Sequence, residues 1–205
     1  MATKTLFVTC GATVPFPELV ELVLSQECFE GLKNYGFIRV IVQFGRGYKD
    51  DFERRLNTIH GIPQRCSLGD RELGCCSGES LSMSVLGALE IIGIEYSTRV
   101  HDIVRIADLV ISHAGTGSIL DSLRLEKPLI VCVNDRLMDN HQQQIADKFQ
   151  QKNYVWACKP QPCEFYDCLR KSQSEQLNSF PQAHNVQFEN QLIKLAFTSS
   201  NVNTL

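Results

Sequence analysis

Three short stretches hold the residues best suited to gripping an anion. Cys10-Gly11-Ala12-Thr13 follows one apolar run, His113-Ala114-Gly115-Thr116-Gly117-Ser118 follows a second, and Asp139-Asn140-His141-Gln142-Gln143-Gln144 follows a third. Glycine lets backbone N–H groups approach a ligand closely, and a helix N-terminus adds unpaired N–H groups and a positive dipole end. The natural guest is a phosphate. Neither common phosphate fingerprint is complete, because no Gly-Lys-Ser/Thr follows the second stretch and Gly115-x-Gly117-x-x-Leu120 lacks a third glycine. A purely structural reading also fits. In it Gly115 and Gly117 make a tight turn, Ser118 to Asp121 forms a capping box, and Asn140 with Gln143 caps the next helix. His113 and His141, taken singly, are more often structural than catalytic.

The elements that would position these stretches alternate. Runs rich in β-branched residues recur between segments of helical spacing, the pattern of βαβ units and a parallel sheet. Strands are predicted at Thr5 to Cys10, Arg39 to Phe44, Ala88 to Tyr96, Asp108 to Ser112, Pro128 to Asn134 and Tyr154 to Cys158. Helices are predicted from Pro15 and Pro17 to Tyr35-Gly36, whole or broken, and at Asp50 to Ile59, Thr98 to Ala107, Ser118 to Leu125 and Asn140 to Gln151. Ligands of such sheets bind outside the carboxyl ends of the strands, which is where all three stretches fall. The two polar helix starts follow neighbouring strands and would face one crevice.

Periodicity collapses between Gly61 and Met83, which reads as an exposed loop insertion. The expected organisation is one domain over 1–158 carrying an insertion at 61–83, then a tail over 159–205. Within the tail, Phe188, Leu192, Leu195 and Ala196 form an amphipathic stripe that could dock a partner or fold back on the sheet.

Bulk properties narrow the class. With 205 residues, 43% hydrophobic, 21% charged and a net charge of -3, the chain reads as one soluble α/β domain without the positive charge of a nucleic-acid binder. Nine cysteines, several inside apolar runs such as Val131-Cys132-Val133, read as small core residues of a reducing compartment. None has the paired spacing of a zinc site, so no metal is expected. Met1 to Lys4 runs into a strand without a leader, and no run approaches the ~18 apolar residues of a membrane span. The expected location is the cytosol, or a membrane reached through another molecule.

Thr9 to Thr13, the stretch from Ser112 to Asp135 and the stretch from Leu137 to Phe149 resemble the catalytic subunits of the two-subunit UDP-N-acetylglucosamine transferases of dolichol-linked oligosaccharide synthesis. The resemblance covers most of Thr5 to Ala157. It implies a Rossmann-like parallel sheet flanked by helices, similar to the carboxyl-terminal, donor-binding half of a GT-B glycosyltransferase. By the same resemblance Gly11, Ala12 and Thr13, with Gly115, Thr116, Gly117 and Ser118, would meet the donor diphosphate. Asp121 would hold the ribose, in the place of a longer glutamate among the relatives. Tyr96 and Ser97 would face uracil. Asn140, His141 and Gln142 belong to the third donor-binding stretch, with His141 and Gln142 toward the donor sugar and phosphate. His113 receives no role.

The implied reaction is inverting transfer of N-acetylglucosamine to N-acetylglucosaminyl-diphosphodolichol, with neither cofactor nor metal and with the general base unassigned. The implied partner is a membrane-anchored acceptor-binding subunit that forms a heterodimer and holds this chain at the cytosolic face of the endoplasmic reticulum. Two other classes remain open at this point, a nucleotide-sugar epimerase on the same fold and a non-catalytic nucleotide-binding subunit.

Overall fold

The structure is a computed structural model that describes residues 4–12, 14–60, 81–86, 89–134 and 141–181. Among these described residues seven strands form one sheet: β1 (Lys4–Thr9), β2 (Phe37–Gln43), β3 (Leu81–Leu86), β4 (Leu89–Ile94), β5 (Leu109–Ser112), β6 (Leu129–Cys132) and β7 (Trp156–Cys158). Their spatial order is β3-β4-β2-β1-β5-β6-β7, and every neighbouring pair is parallel except β3 with β4. Counted alone, the parallel strands run 3-2-1-4-5-6, the doubly wound order whose chain reverses direction between its first and fourth strands. That switch point lies between β1 and β5.

The strands form where the sequence is apolar and β-branched, and both faces are covered. α1 (Pro17–Val23), α2 (Gln26–Asn34), α3 (Lys49–His60) and α7 (Pro162–Ser174) serve one face, and α4 (Val100–Ile106), α5 (Thr116–Arg124) and α6 (His141–Gln151) the other. Leu6 and Val8 of β1 join the first core with Phe16, Phe29, Phe52 and Phe165, whereas Phe7 joins the second with Ile103, Ile119 and Phe149. Alternation along one strand therefore feeds two separate cores. The break expected in the first helical region falls at Leu24-Ser25, where Ser25 caps α2 by accepting from the Cys28 N–H at 3.1 Å.

Three expectations need correction. The helix predicted from Ser118 begins at Thr116 with Gly115 at its N-cap, so Ser118 and Asp121 form no capping box. The chain reaches that cap through an elbow in which Ala114 takes a left-handed φ of 65° with its methyl buried. The insertion predicted to run through Met83 ends sooner, because Leu81–Leu86 pairs antiparallel with β4; residues 61–80 lie outside the described residues. Packing also continues past residue 158. Phe165, Cys168 and Leu169 of α7 are buried in the first core, and Phe180 lies 5.3 Å from Tyr154 ring to ring. The stripe at 188–196 lies outside the described residues.

Cys10, Cys28, Cys132, Cys158 and Cys168 are buried and Cys163 is exposed, all six as free thiols, while Cys66, Cys75 and Cys76 lie outside the described residues. Burial pushes the Cys10 and Cys28 thiols up to about 12, so both stay protonated core groups near neutral pH. Among the described residues no helix is long and apolar enough to cross a membrane.

Candidate functional site

At the β1/β5 switch point a crevice of about 330 Å³ opens on the α4–α6 face, within the size range of small-ligand sites. Its floor is the last row of the sheet. Gln43, Thr9 and Ser112 are register partners across β2, β1 and β5, so their side chains share one face, and all three are buried. Thr9 Oγ1 accepts from the Gly11 N–H at 3.2 Å, and Gln43 Nε2 donates to the Gly11 carbonyl at 3.3 Å. These bonds hold the first glycine loop against the sheet end. Among the described residues Gln43 Oε1 and Ser112 Oγ, both buried, have no hydrogen-bond partner.

The walls come from loops far apart in sequence. Gly11, Ala12, Tyr96, Ser97, Gly115, Gly117, Ser118 and Asp121 all line the crevice, together with His113 and Val100. Ser97 is itself buried and accepts from the Arg99 N–H at 3.0 Å, which shapes the turn into α4. Thr116 opens α5 but is not among the lining residues. Gln142 is also absent from that lining, although it stands in the first turn of α6 with a buried Oε1 that has no partner among the described residues. Thr13, Asn140 and the side chain of His141 lie outside what the structure describes.

His113, left without a role by sequence reasoning, stands at the centre. Its Nδ1 lies 3.2 Å from the Thr9 carbonyl oxygen, and its backbone N–H donates to the same oxygen at 3.1 Å. Burial holds the imidazole below its usual range despite the opposing effect of the Thr9 bond, so the ring is neutral near pH 7. A carbonyl only accepts, so the single ring proton of that neutral form sits on Nδ1 and Nε2 is left as an acceptor.

The same ring explains two glycines. A Cβ on Gly11 would stand 2.8 Å from His113 Nε2, and one on Gly115 would stand 2.5 Å from it. Gly11 also has a left-handed φ of 85°, but Gly115 has an ordinary φ of -71°, so close approach alone requires glycine at 115. Among the described residues a Cβ on Gly117 meets nothing within 4 Å. The arrangement offers free N–H groups at the start of α5, one imidazole nitrogen, one carboxylate and one aromatic ring around a cleft sized for a small ligand.

Comparison with known proteins identifies the family of this fold. Residues 5–196 match the model of the glycosyltransferase family 28 C-terminal domain. The UDP-N-acetylglucosamine transferase subunit ALG13 of Saccharomyces cerevisiae is 52% identical over 198 residues, covering 95% of this chain and 97% of that protein. An NMR solution structure of ALG13 superposes with a TM-score of 0.75 at 53% identity, over 94% of this chain and 96% of that one. Acinetobacter baumannii MurG shares the fold at a TM-score of 0.55 and 13% identity, with 83% of this chain matching 42% of the MurG chain. On the extent of the first match and the identity of the second, the chain belongs to the glycosyltransferase family 28 C-terminal domain family.

Proposed function

We propose that this chain is the donor-binding catalytic subunit of a two-subunit, inverting N-acetylglucosaminyltransferase acting on N-acetylglucosaminyl-diphosphodolichol. The observation that carries the reading is the convergence of Gly11, His113, Gly115, Ser118 and Asp121 on one crevice at the switch point of a family 28 domain. The donor diphosphate lies over the start of α5, where amide N–H groups and the helix dipole favour negative charge. Asp121, one turn further along α5, takes the ribose hydroxyls, and Tyr96 with Ser97 flanks the uracil. Thr13, Asn140, His141 and Gln142 complete the donor contacts in this reading.

The chemistry is a displacement. The 4-hydroxyl oxygen of the acceptor sugar forms a bond to the donor's anomeric carbon as the bond from that carbon to the β-phosphate oxygen breaks. UDP leaves with the bonding pair, and the configuration inverts. N–H groups fixed before the reaction stabilise the charge growing on the leaving diphosphate. In this reading the partner supplies the base that takes the hydroxyl proton, because the Asp121 carboxylate is taken by the ribose and His113 Nε2 packs against Gly11 and Gly115.

A partner belongs to this reading because the yeast relative, 97% of which this chain covers, is named a subunit. A membrane-anchored second subunit presents the lipid acceptor and holds this chain at the cytosolic face of the endoplasmic reticulum. The test is transfer from UDP-N-acetylglucosamine to the lipid-linked acceptor by each chain alone and by both together. Product is expected only from the pair. Robust transfer by this chain alone would overturn the split-enzyme reading, and transfer by the partner alone would make this chain non-catalytic.

A further inference from the structure

Downstream of β2, the stretch Gln43-Phe44-Gly45-Arg46-Gly47 joins the loops on either side of it. The Arg46 N–H donates to the Ala12 carbonyl at 3.3 Å, and the Gly45 N–H to the Glu95 carbonyl at 3.1 Å. The Gly47 N–H donates to Glu95 Oε1 at 2.8 Å. Gly45 and Gly47 have left-handed φ values of 89° and 75°, which L side chains rarely adopt. The loop is therefore a bracket between the first glycine loop and the segment that carries Tyr96.

On this bracket the exposed Arg46 guanidinium lies over the Tyr96 ring, 4.8 Å from its centroid. Among the described residues Arg46 has no carboxylate partner, and its guanidinium meets the Tyr96 ring instead. Tyr96 in turn lines the crevice. An arginine plane covering an aromatic face restricts how that ring can turn.

We infer that Arg46 is a positioning residue for donor binding: stacked on Tyr96, it holds that ring as the crevice wall against which the nucleoside part of the donor packs. The inference rests on the reading of this crevice as the donor site. Its test uses the assembled transferase, with UDP-N-acetylglucosamine as the varied substrate and UDP and uridine as competing ligands. Arg46→Met keeps the aliphatic stem and removes the cation. It should raise the donor KM and the inhibition constants of UDP and uridine by one common factor of about two- to fivefold, the scale of an exposed cation–π contact. The kcat and the thermal midpoint should not change, and Arg46→Lys should restore most of the loss.

In a Tyr96→Leu background Arg46→Met should have no further effect, because the contact it removes is already gone. An unchanged KM in Arg46→Met, a loss confined to UDP while uridine is unaffected, or a full effect in the Tyr96→Leu background would each overturn the inference. Asp121→Ala separates the two levels. If Asp121→Ala raises the donor KM and Arg46→Met does not, the positioning role fails and the donor site stands; if neither does, the donor-site reading itself fails.

Discussion

Gly115→Ala is the sharpest steric test of the crevice. The new methyl would stand 2.5 Å from His113 Nε2 and 2.7 Å from Cε1. Backbone strain does not enter, because φ -71° and ψ 126° suit alanine. The ring has little room to retreat, since Gly11 packs against the same nitrogen and Nδ1 is tied to the Thr9 carbonyl. Overpacking costs about 1–3 kcal/mol, loss of the Thr9 bond about 0.5–1.5 kcal/mol, and the stiffer unfolded chain returns about 0.4–1 kcal/mol. The net destabilisation is about 2 kcal/mol, which for a chain of this size lowers the thermal midpoint by about 4–8 °C. Gly117→Ala is the control, because its Cβ meets none of the described residues within 4 Å and alanine suits a helical position, so it should stabilise the fold by up to about 1 kcal/mol. Urea and thermal unfolding of both variants, with His113→Ala added to Gly115→Ala, measure the effect. The double variant should recover most of the loss. Equal stability of Gly115→Ala and wild type, or no relief from His113→Ala, would refute the reasoning.

Two further predictions follow from His113 and α7. The folded-state pKa of His113 is lowered, so the folded chain resists protonation. The associated stability is complete above the ordinary histidine value of about 6.5 and is lost as pH falls through the folded-state value; His113→Gln should flatten that acid limb of the unfolding profile, and an unchanged limb would refute the assignment. Ending the chain at Cys158 should abolish cooperative unfolding, since Phe165 and Leu169 are core residues whose truncation to alanine alone costs about 2–5 kcal/mol each; a cooperatively folded 1–158 fragment would show that α7 is dispensable.

Much of this architecture was legible in local pattern. The β-branched runs mark the six parallel strands to within two or three residues at each end, and the glycine-rich junctions fall at their carboxyl ends. Some signals were present and misread. Leu81, Met83 and Val85 alternate with Ser82 and Ser84, a period of two that begins inside the segment assigned to a loop. Pro162 with Phe165, Cys168 and Leu169 carries the helix start and apolar stripe of α7 amid polar residues. Thr116-Gly117-Ser118 admits two helix frames, and the left-handed Ala114 that selects the earlier one leaves no local signature. The roles of His113 and Arg46 were not readable in principle. Each is defined by contact with residues about 100 and 50 positions away, Gly11 and Tyr96, and only the strand order brings them together.

The separation of the core into two halves has a consequence for how variation reaches the crevice. Successive residues of β1 answer to different helices: Leu6 and Val8 to the side of α1, α2, α3 and α7, and Phe7 to the side of α4, α5 and α6. In β5, Leu109 and Ile111 divide from Val110 in the same way. The helices whose starts wall the crevice all rest on the second side. Drift in side-chain volume at Val8 or Ile111 is absorbed against helices that do not line the crevice, whereas the same drift at Phe7 or Val110 tilts the supports of Tyr96, Gly115 and Asp121. Two neighbouring positions with equal burial thus differ in what they endanger, one the persistence of the fold and the other the aim of the site.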